Sequence, residues 1–150
     1  MRINIINPKY LTDNHLIAEY RETKMSIYNY VRSKNSKNGI DKSRISERYT
    51  LNKGHAYMWY NKFGYISKRF NALVEEMRNR GFQTNFIELN FNGIDSDAFG
   101  DFTPNQADIR INLERVLERI SLQPEWYKYY GKNIEDWNSF YEDLFNKEKL

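Results

Sequence analysis

Leu16, Tyr20, Ile27 and Val31 fall on one stripe of a helix, and blocks with similar spacing recur until the chain ends. Apolar residues repeated every three or four positions turn one helix face toward a shared core. Thr12 or Asp13 is placed to cap this first helix. The turn-rich SKNSKNGIDKS that follows reads as a surface loop. A second helix is expected through FGYISKRFNALVEEMRNR, stopping at Gly81, a residue suited to a left-handed C-terminal cap. A third begins after Pro104 and carries Ile109, Ile111, Val116, Leu117 and Ile120. A short fourth is expected within NIEDWNSFYEDLFNKEKL, capped by Asn133, with Ile134, Trp137, Tyr141 and Leu144 on its apolar side. Only TNFIELNFNG offers a short extended stretch, and no repeat or strand alternation competes. The fold expected is all-α: a compact single domain of three main helices with long basic loops, plus the short C-terminal helix.

Side-chain chemistry narrows what such a bundle can do. There is no cysteine, which excludes disulfides, zinc–thiolate sites and a thiol nucleophile. His15 and His55 are the only imidazoles, so a multi-histidine metal centre is excluded, while a carboxylate-bound magnesium stays open. No apolar run approaches the roughly 18 residues that cross a membrane, and no signal peptide is evident. An intracellular, cytoplasmic protein with no membrane partner is expected. Net charge is only +3, yet Lys24–Arg69 holds eleven Lys and Arg against Asp41 and Glu47, a local balance of +9. That segment suits a polyanion, or is a solvated lysine-rich loop. WYKYYGK, residues 126–132, sets four rings beside two lysines. It is either a strap with its rings in the core or a surface for a flat, anionic polymer.

On the first helix, His15 and Glu22 stand seven residues apart and nearly in line after two turns. Glu19 and Ser26 flank that line, which lies opposite the core stripe. A His–Glu line on a solvent face is either a hydrogen-bonded surface feature or a catalytic one.

Six motifs then occur in order: RIN at the start, HLIAEYRE, GHAYMWYNK, KR before a helix ending in RGF, GDFTP, and WYKYYGK. Together they resemble the pyrimidine-dimer DNA glycosylases of the phage endonuclease V type, from Met1 to about Lys132. The resemblance implies a domain over 1–132; residues 133–150 lie beyond it, and their acid-rich amphipathic pattern is expected to pack as an extra helix on the same domain. The resemblance also implies action on double-stranded DNA that contains damaged bases, and a monomer with no cofactor and no metal is expected. The backbone amine of the first residue is the family's nucleophile, and a glutamate of the first helix is its partner. An α-amine has a pKa of about 7.7–8.0, so roughly a tenth or more is neutral at physiological pH; a typical lysine is less than about a thousandth neutral. Attack on the sugar would expel the base, leave an imine and permit strand cleavage by β-elimination.

Residue by residue, the resemblance gives Met1 and Glu22 the catalytic roles. Arg2, His15, Arg21 and Arg115 take DNA-contacting positions, joined by Trp126, Tyr127, Lys128, Tyr129, Tyr130 and Lys132 of the strap. Arg21 and Arg115 could equally be surface ion-pair partners, and each strap ring could be purely structural. Two departures stand out. The familiar members expose a threonine amine after losing Met; here Arg2 is too bulky for the usual aminopeptidase, so Met1 should stay, and its amine falls in the threonine's register once any formyl group is removed. Met25 replaces an arginine that helps hold the bent DNA, which bears on the substrate more than on the reaction. The alternatives are a damaged-DNA-binding module without chemistry, a glycosylase for another damaged or modified base, and, least favoured, a metal-dependent nuclease.

Overall fold

The computed structural model describes residues 1–150 in full. Helix α1 (Asp13–Glu22) opens at Thr12, whose hydroxyl accepts the His15 N–H at 3.0 Å. It does not run on through the whole stripe. Thr23 and Lys24 keep helical dihedrals, but the chain restarts as α2 (Met25–Lys34). The Thr23 hydroxyl donates to the Glu19 carbonyl at 2.6 Å, a back-bond that bends helices and explains the break inside one apolar stripe. Leu16, Tyr20 and Ile27 are buried as the stripe requires. A single turn, α3 (His55–Met58), leads into α4 (Phe63–Asn79), and α5 (Gln106–Leu122) and α6 (Trp137–Asn146) complete the fold. There are no strands, only the isolated bridges Lys62–Phe99 and Tyr129–Lys132, so residues 84–93 form no sheet.

Helix ends follow local chemistry. Gly81 takes φ +79° just beyond α4, and the Phe82 N–H reaches back to the Met77 carbonyl at 2.9 Å. Asn105 and Asp108 form a reciprocal capping box at α5. The cap of α6 is Asp136, which accepts from Ser139 N–H at 3.0 Å, rather than Asn133; Asn133 instead accepts from the Lys128 ammonium. In GDFTP, a Cβ on Gly100 would stand 2.3 Å from the Asn61 carbonyl oxygen. Glycine lets this loop close against the start of α4.

The core has two halves. Ile3, Ile5, Ile27, Trp59, Phe63, Phe102 and their neighbours form one. Ile6, Leu16, Tyr20, Phe70, Leu113 and Val116 belong to the other, which Trp137 and Tyr141 of α6 complete. The Arg110 guanidinium grips Glu142 through two bonds of 2.6 and 2.8 Å and lies over the Phe145 ring, fastening α6 to α5. On α5, Ile111 is exposed, contrary to its expected core place, and Asn112 is fully buried. The reason lies in the seam between the two halves.

Candidate active site

The N-terminal segment occupies that seam. It has no regular secondary structure, so its backbone polar groups need other partners. The Ile3 N–H donates to His55 Nε2 at 2.8 Å, and the Ile3 carbonyl accepts from the Tyr49 hydroxyl at 2.8 Å. The Ile5 and Ile6 N–H groups both donate to Asn112 Oδ1, at 2.7 and 3.2 Å. Asn4 donates to Glu19 at 2.9 Å and accepts from Asn112 at 2.8 Å. The Ile6 carbonyl accepts from Arg69 at 2.7 Å. Four successive residues are thus gripped, while Ile3 and Ile5 enter one half of the core and Ile6 the other.

Glu19 and Arg69 anchor this seam through bonds of 2.7 and 3.0 Å. Burial opposes the Arg69 charge, but Glu19 outweighs it and raises the guanidinium pKa further. The face of α1 expected to meet solvent is therefore internal. His15 and Glu19 are buried because the strap and the N-terminal segment cover them, and Ser26, at the start of α2, is buried as well. Helical periodicity alone does not reveal a polar core.

Past the seam the chain emerges at a cleft of about 270 Å³, lined by Met1, Arg2, Glu22, His55, Arg115 and Arg119, with Leu51 and Asn52. Met1 and Glu22, far apart in sequence, thus share one concavity. Arg2 has its pKa lowered, first by burial and then by Arg119 and Arg115, against the opposing pull of Tyr49. Arg115 donates to Asn52 at 3.0 Å and lies 3.5 Å from the exposed Glu118. Asn52 itself holds φ +61° at the cleft. Arg2 and Arg119 make no ion pair. Three guanidiniums beside a single cleft carboxylate give a local field suited to a polyanion. No group of three or more His, Asp or Glu side chains that could hold a metal ion occurs in the protein.

The strap divides its rings. Tyr127 stacks on His15 with centroids 5.0 Å apart, and Trp126, 58% exposed, stands edge-on to Tyr127. The His15 Nδ1 and the Thr12 hydroxyl share a hydrogen bond of 2.7 Å. Burial, with Arg2 and Arg119, pushes its pKa down to about 3, so the ring is neutral. Tyr129 and Tyr130 belong elsewhere. Tyr130 (φ +50°) and Gly131 (φ +75°) make a tight turn whose N–H groups both donate to Asp13, at 3.2 and 2.8 Å. Tyr130 donates to Glu76 at 2.6 Å and Tyr129 to the Lys9 carbonyl at 2.9 Å. The Arg80 guanidinium lies 4.3 Å from the Tyr130 ring centroid and 5.2 Å from that of Tyr129. These two rings and Arg80 form a packing node. The Lys128 ammonium donates to the Glu125 carbonyl at 2.8 Å, and Lys132 is exposed. Arg21 is exposed on α1 and does not line the cleft.

Of the sequence-predicted residues, Met1, Arg2, Glu22 and Arg115 meet at the cleft, and His15 with Tyr127 lies close to Arg2. Sequence reasoning missed Arg119, His55 and Asn52. Arg119 was within reach, since it follows Arg115 by one helical turn. The basic 24–69 segment is also less available than its count suggests: Lys62 and Arg69 are buried, and the Lys62 ammonium spends its donors on Ser46, Met58 and Asn61 oxygens at 2.7, 2.6 and 2.9 Å. No helix is long and apolar enough to cross a membrane. The family model described as pyrimidine dimer DNA glycosylase matches residues 1–87. That span includes Met1, Arg2, His15, Glu22 and His55 and stops short of Arg115, Arg119 and the strap.

Proposed function

The chain belongs to the pyrimidine dimer DNA glycosylase family, and from that premise we propose that it is a bifunctional repair enzyme, a DNA glycosylase and abasic-site lyase working through the Met1 α-amine. The observation that carries this reading is the cleft that Met1 and Glu22 line together. The neutral amine attacks C1′ of the damaged nucleotide's deoxyribose. The C1′–N bond to the base breaks as the N–C1′ bond to Met1 forms, and the base leaves with the electron pair and gains a proton. Loss of the amine proton and opening of the sugar ring give the imine. The imine acidifies the C2′ hydrogen; its removal expels the 3′ phosphate and cuts the strand. Glu22 is the one cleft carboxylate, suited to stabilise the developing positive charge and to move protons.

The remaining residues hold the substrate. Arg2, Arg115 and Arg119 face the phosphates that flank the attacked sugar, with guanidinium geometry suited to phosphate oxygens. Trp126 and Tyr127 offer rings to the distorted duplex, and Arg21, Lys128 and Lys132 add charge outside the cleft. His15 acts from beneath, supporting Tyr127 beside Arg2. The enzyme works as a monomer on double-stranded DNA containing pyrimidine dimers, within the cell.

Borohydride reduction on an abasic-site duplex, followed by mass spectrometry of the adduct, tests the chemistry. DNA attached to Met1 is expected; attachment to a lysine, or no adduct, overturns it. Glu22→Gln should suppress strand cleavage far more than duplex binding. Met25, 39% exposed at the start of α2, supports a second reading of the substrate, because a thioether cannot grip phosphate as an arginine would. Faster cutting of an oxidised-base duplex than of a dimer-containing one would favour that reading.

A further inference from the structure

We propose that His55 is a positioning residue for the Met1 amine, its imidazole holding the Ile3 N–H and thereby fixing the reach of the first residue into the cleft. The inference rests on the reading of Met1 as nucleophile and adds a residue that this reading does not require. Ile3 is the first residue of the segment whose backbone is gripped on both sides, by His55 at its N–H and by Tyr49 at its carbonyl. Arg2 and Met1 stand immediately before it, and Met1 and His55 line the same cleft. Slack at Ile3 is therefore passed directly to the amine. A 1 Å misplacement of a reacting group costs about 10²-fold in rate.

The imidazole suits the task because its orientation and tautomer are both set. Its Nδ1 lies 2.8 Å from the Thr50 carbonyl, which can only accept, so Nδ1 carries the hydrogen. That leaves Nε2 as the acceptor that the Ile3 N–H needs, with the Trp59 indole N–H a longer contact at 3.4 Å. The Tyr49 and Trp59 rings stand edge-on to it, at 5.6 and 5.9 Å. His55 is 4% exposed. Burial brings its pKa down to about 4, in spite of the Thr50 bond and helped by Arg2, the α-amino group and Arg115. Glu22 and Arg119 complete the charged surroundings of the cleft. At working pH the ring stays a neutral acceptor and brings no further cation to the amine.

Single-turnover borohydride trapping on an abasic-site duplex at pH 7.5, with duplex Kd measured by anisotropy, separates positioning from general structural support. His55→Leu should slow trapping by about 30-fold or more, on the scale of a 1 Å misplacement, with Kd within about threefold of wild type. His55→Gln, whose Oε1 can accept in place of Nε2, should recover most of the rate. Should His55→Leu not fold, Tyr49→Phe loosens Ile3 from its other side and should slow trapping about tenfold at unchanged Kd. Wild-type trapping in His55→Leu, or rate and duplex affinity falling together, overturns the inference while leaving Met1 as nucleophile intact. An untrapped wild-type protein overturns both.

Discussion

Two groups of arginines flank the N-terminal half of this protein and meet opposite fates. Arg69 and Arg80 are used up internally. Arg69 binds Glu19 and the Ile6 carbonyl, and Arg80 binds Asp13, Glu76 and the carbonyls of Pro8, Lys9 and Leu11. Arg2, Arg115 and Arg119 instead crowd one cleft, where burial, then Arg119 and Arg115, disfavour the charge of Arg2. A fold that needs a buried charge supplies its counter-charge within the chain, as Glu19 does. A fold that gathers like charges at a concave surface holds them for a counter-charge brought from outside. Residue type does not separate the two groups; pairing with a buried carboxylate does.

Removing a paired arginine should do the most damage. Arg69→Met leaves Glu19 buried without its cation and removes a grip on Ile6; about 3–5 kcal/mol of stability should go, measured by urea unfolding. The double variant Glu19→Met/Arg69→Met should recover part of that loss, since the orphaned charge is gone. Arg119→Gln, by contrast, should leave unfolding within about 0.5 kcal/mol of wild type. Comparable losses in the two arginine variants would break the distinction.

The two histidines carry the same comparison into pH. Both lie beside the arginine cleft, and both have folded pKa values below 6.5, near 3 for His15 and near 4 for His55. Between pH 6.5 and about 4 the unfolded chain therefore binds more protons, and stability falls as pH falls. Each histidine should remove about 1.4 kcal/mol per pH unit across that window until its folded pKa is reached. Urea midpoints at pH 7, 6 and 5 measure the slope. His55→Gln should reduce it by about half. A flat profile above pH 5 would mean that these rings are hydrated and charged in the fold.

The sequence made the helices legible because periodicity reports apolar burial, and α4 and α6 obey it closely, as does α5 except at Ile111 and Asn112. It misjudged α1 for the same reason. Glu19 and His15 are polar residues on a buried face, covered by the N-terminal segment and by Tyr127 of the strap, neither of which has a periodicity of its own. Asn112 displaced Ile111 from the core by supplying the acceptor that the Ile5 and Ile6 N–H groups needed. Met1, Arg2 and Glu22 were found through motif register, as was Arg115. His55 and Asn52 come from a loop-and-turn segment whose placement against Met1 is set by long-range hydrogen bonds that no local pattern announces. Composition could not divide the strap's rings between core and surface, whereas the left-handed turn at Tyr130 and Gly131 sets Tyr129 and Tyr130 against Arg80.

Removing one unpaired arginine should affect DNA binding rather than folding. Arg119→Gln should weaken a dimer-containing duplex by about tenfold at moderate salt and lower the slope of log K against log salt by about 0.9. Arg21→Gln, outside the cleft, should weaken it less. An unchanged salt slope in Arg119→Gln would mean that this guanidinium meets no phosphate, and the cleft group would shrink to Arg2 and Arg115.

The smallest effect expected concerns the strap, where the same division separates neighbouring rings. Tyr130→Phe removes the 2.6 Å bond to Glu76 but leaves the ring over Arg80. Tyr130 is 44% exposed, so water replaces part of that bond, and a loss of about 1 kcal/mol in unfolding is expected. Duplex affinity should stay within about twofold, because the hydroxyl is already committed to α4. The exposed indole of Trp126 has no such commitment, and Trp126→Ala should reverse the pattern, with folding unchanged and binding weaker. If Tyr130→Phe instead weakens DNA binding with no change in stability, Tyr130 belongs with the groups held for DNA, and the division between paired and waiting side chains does not extend past Tyr127.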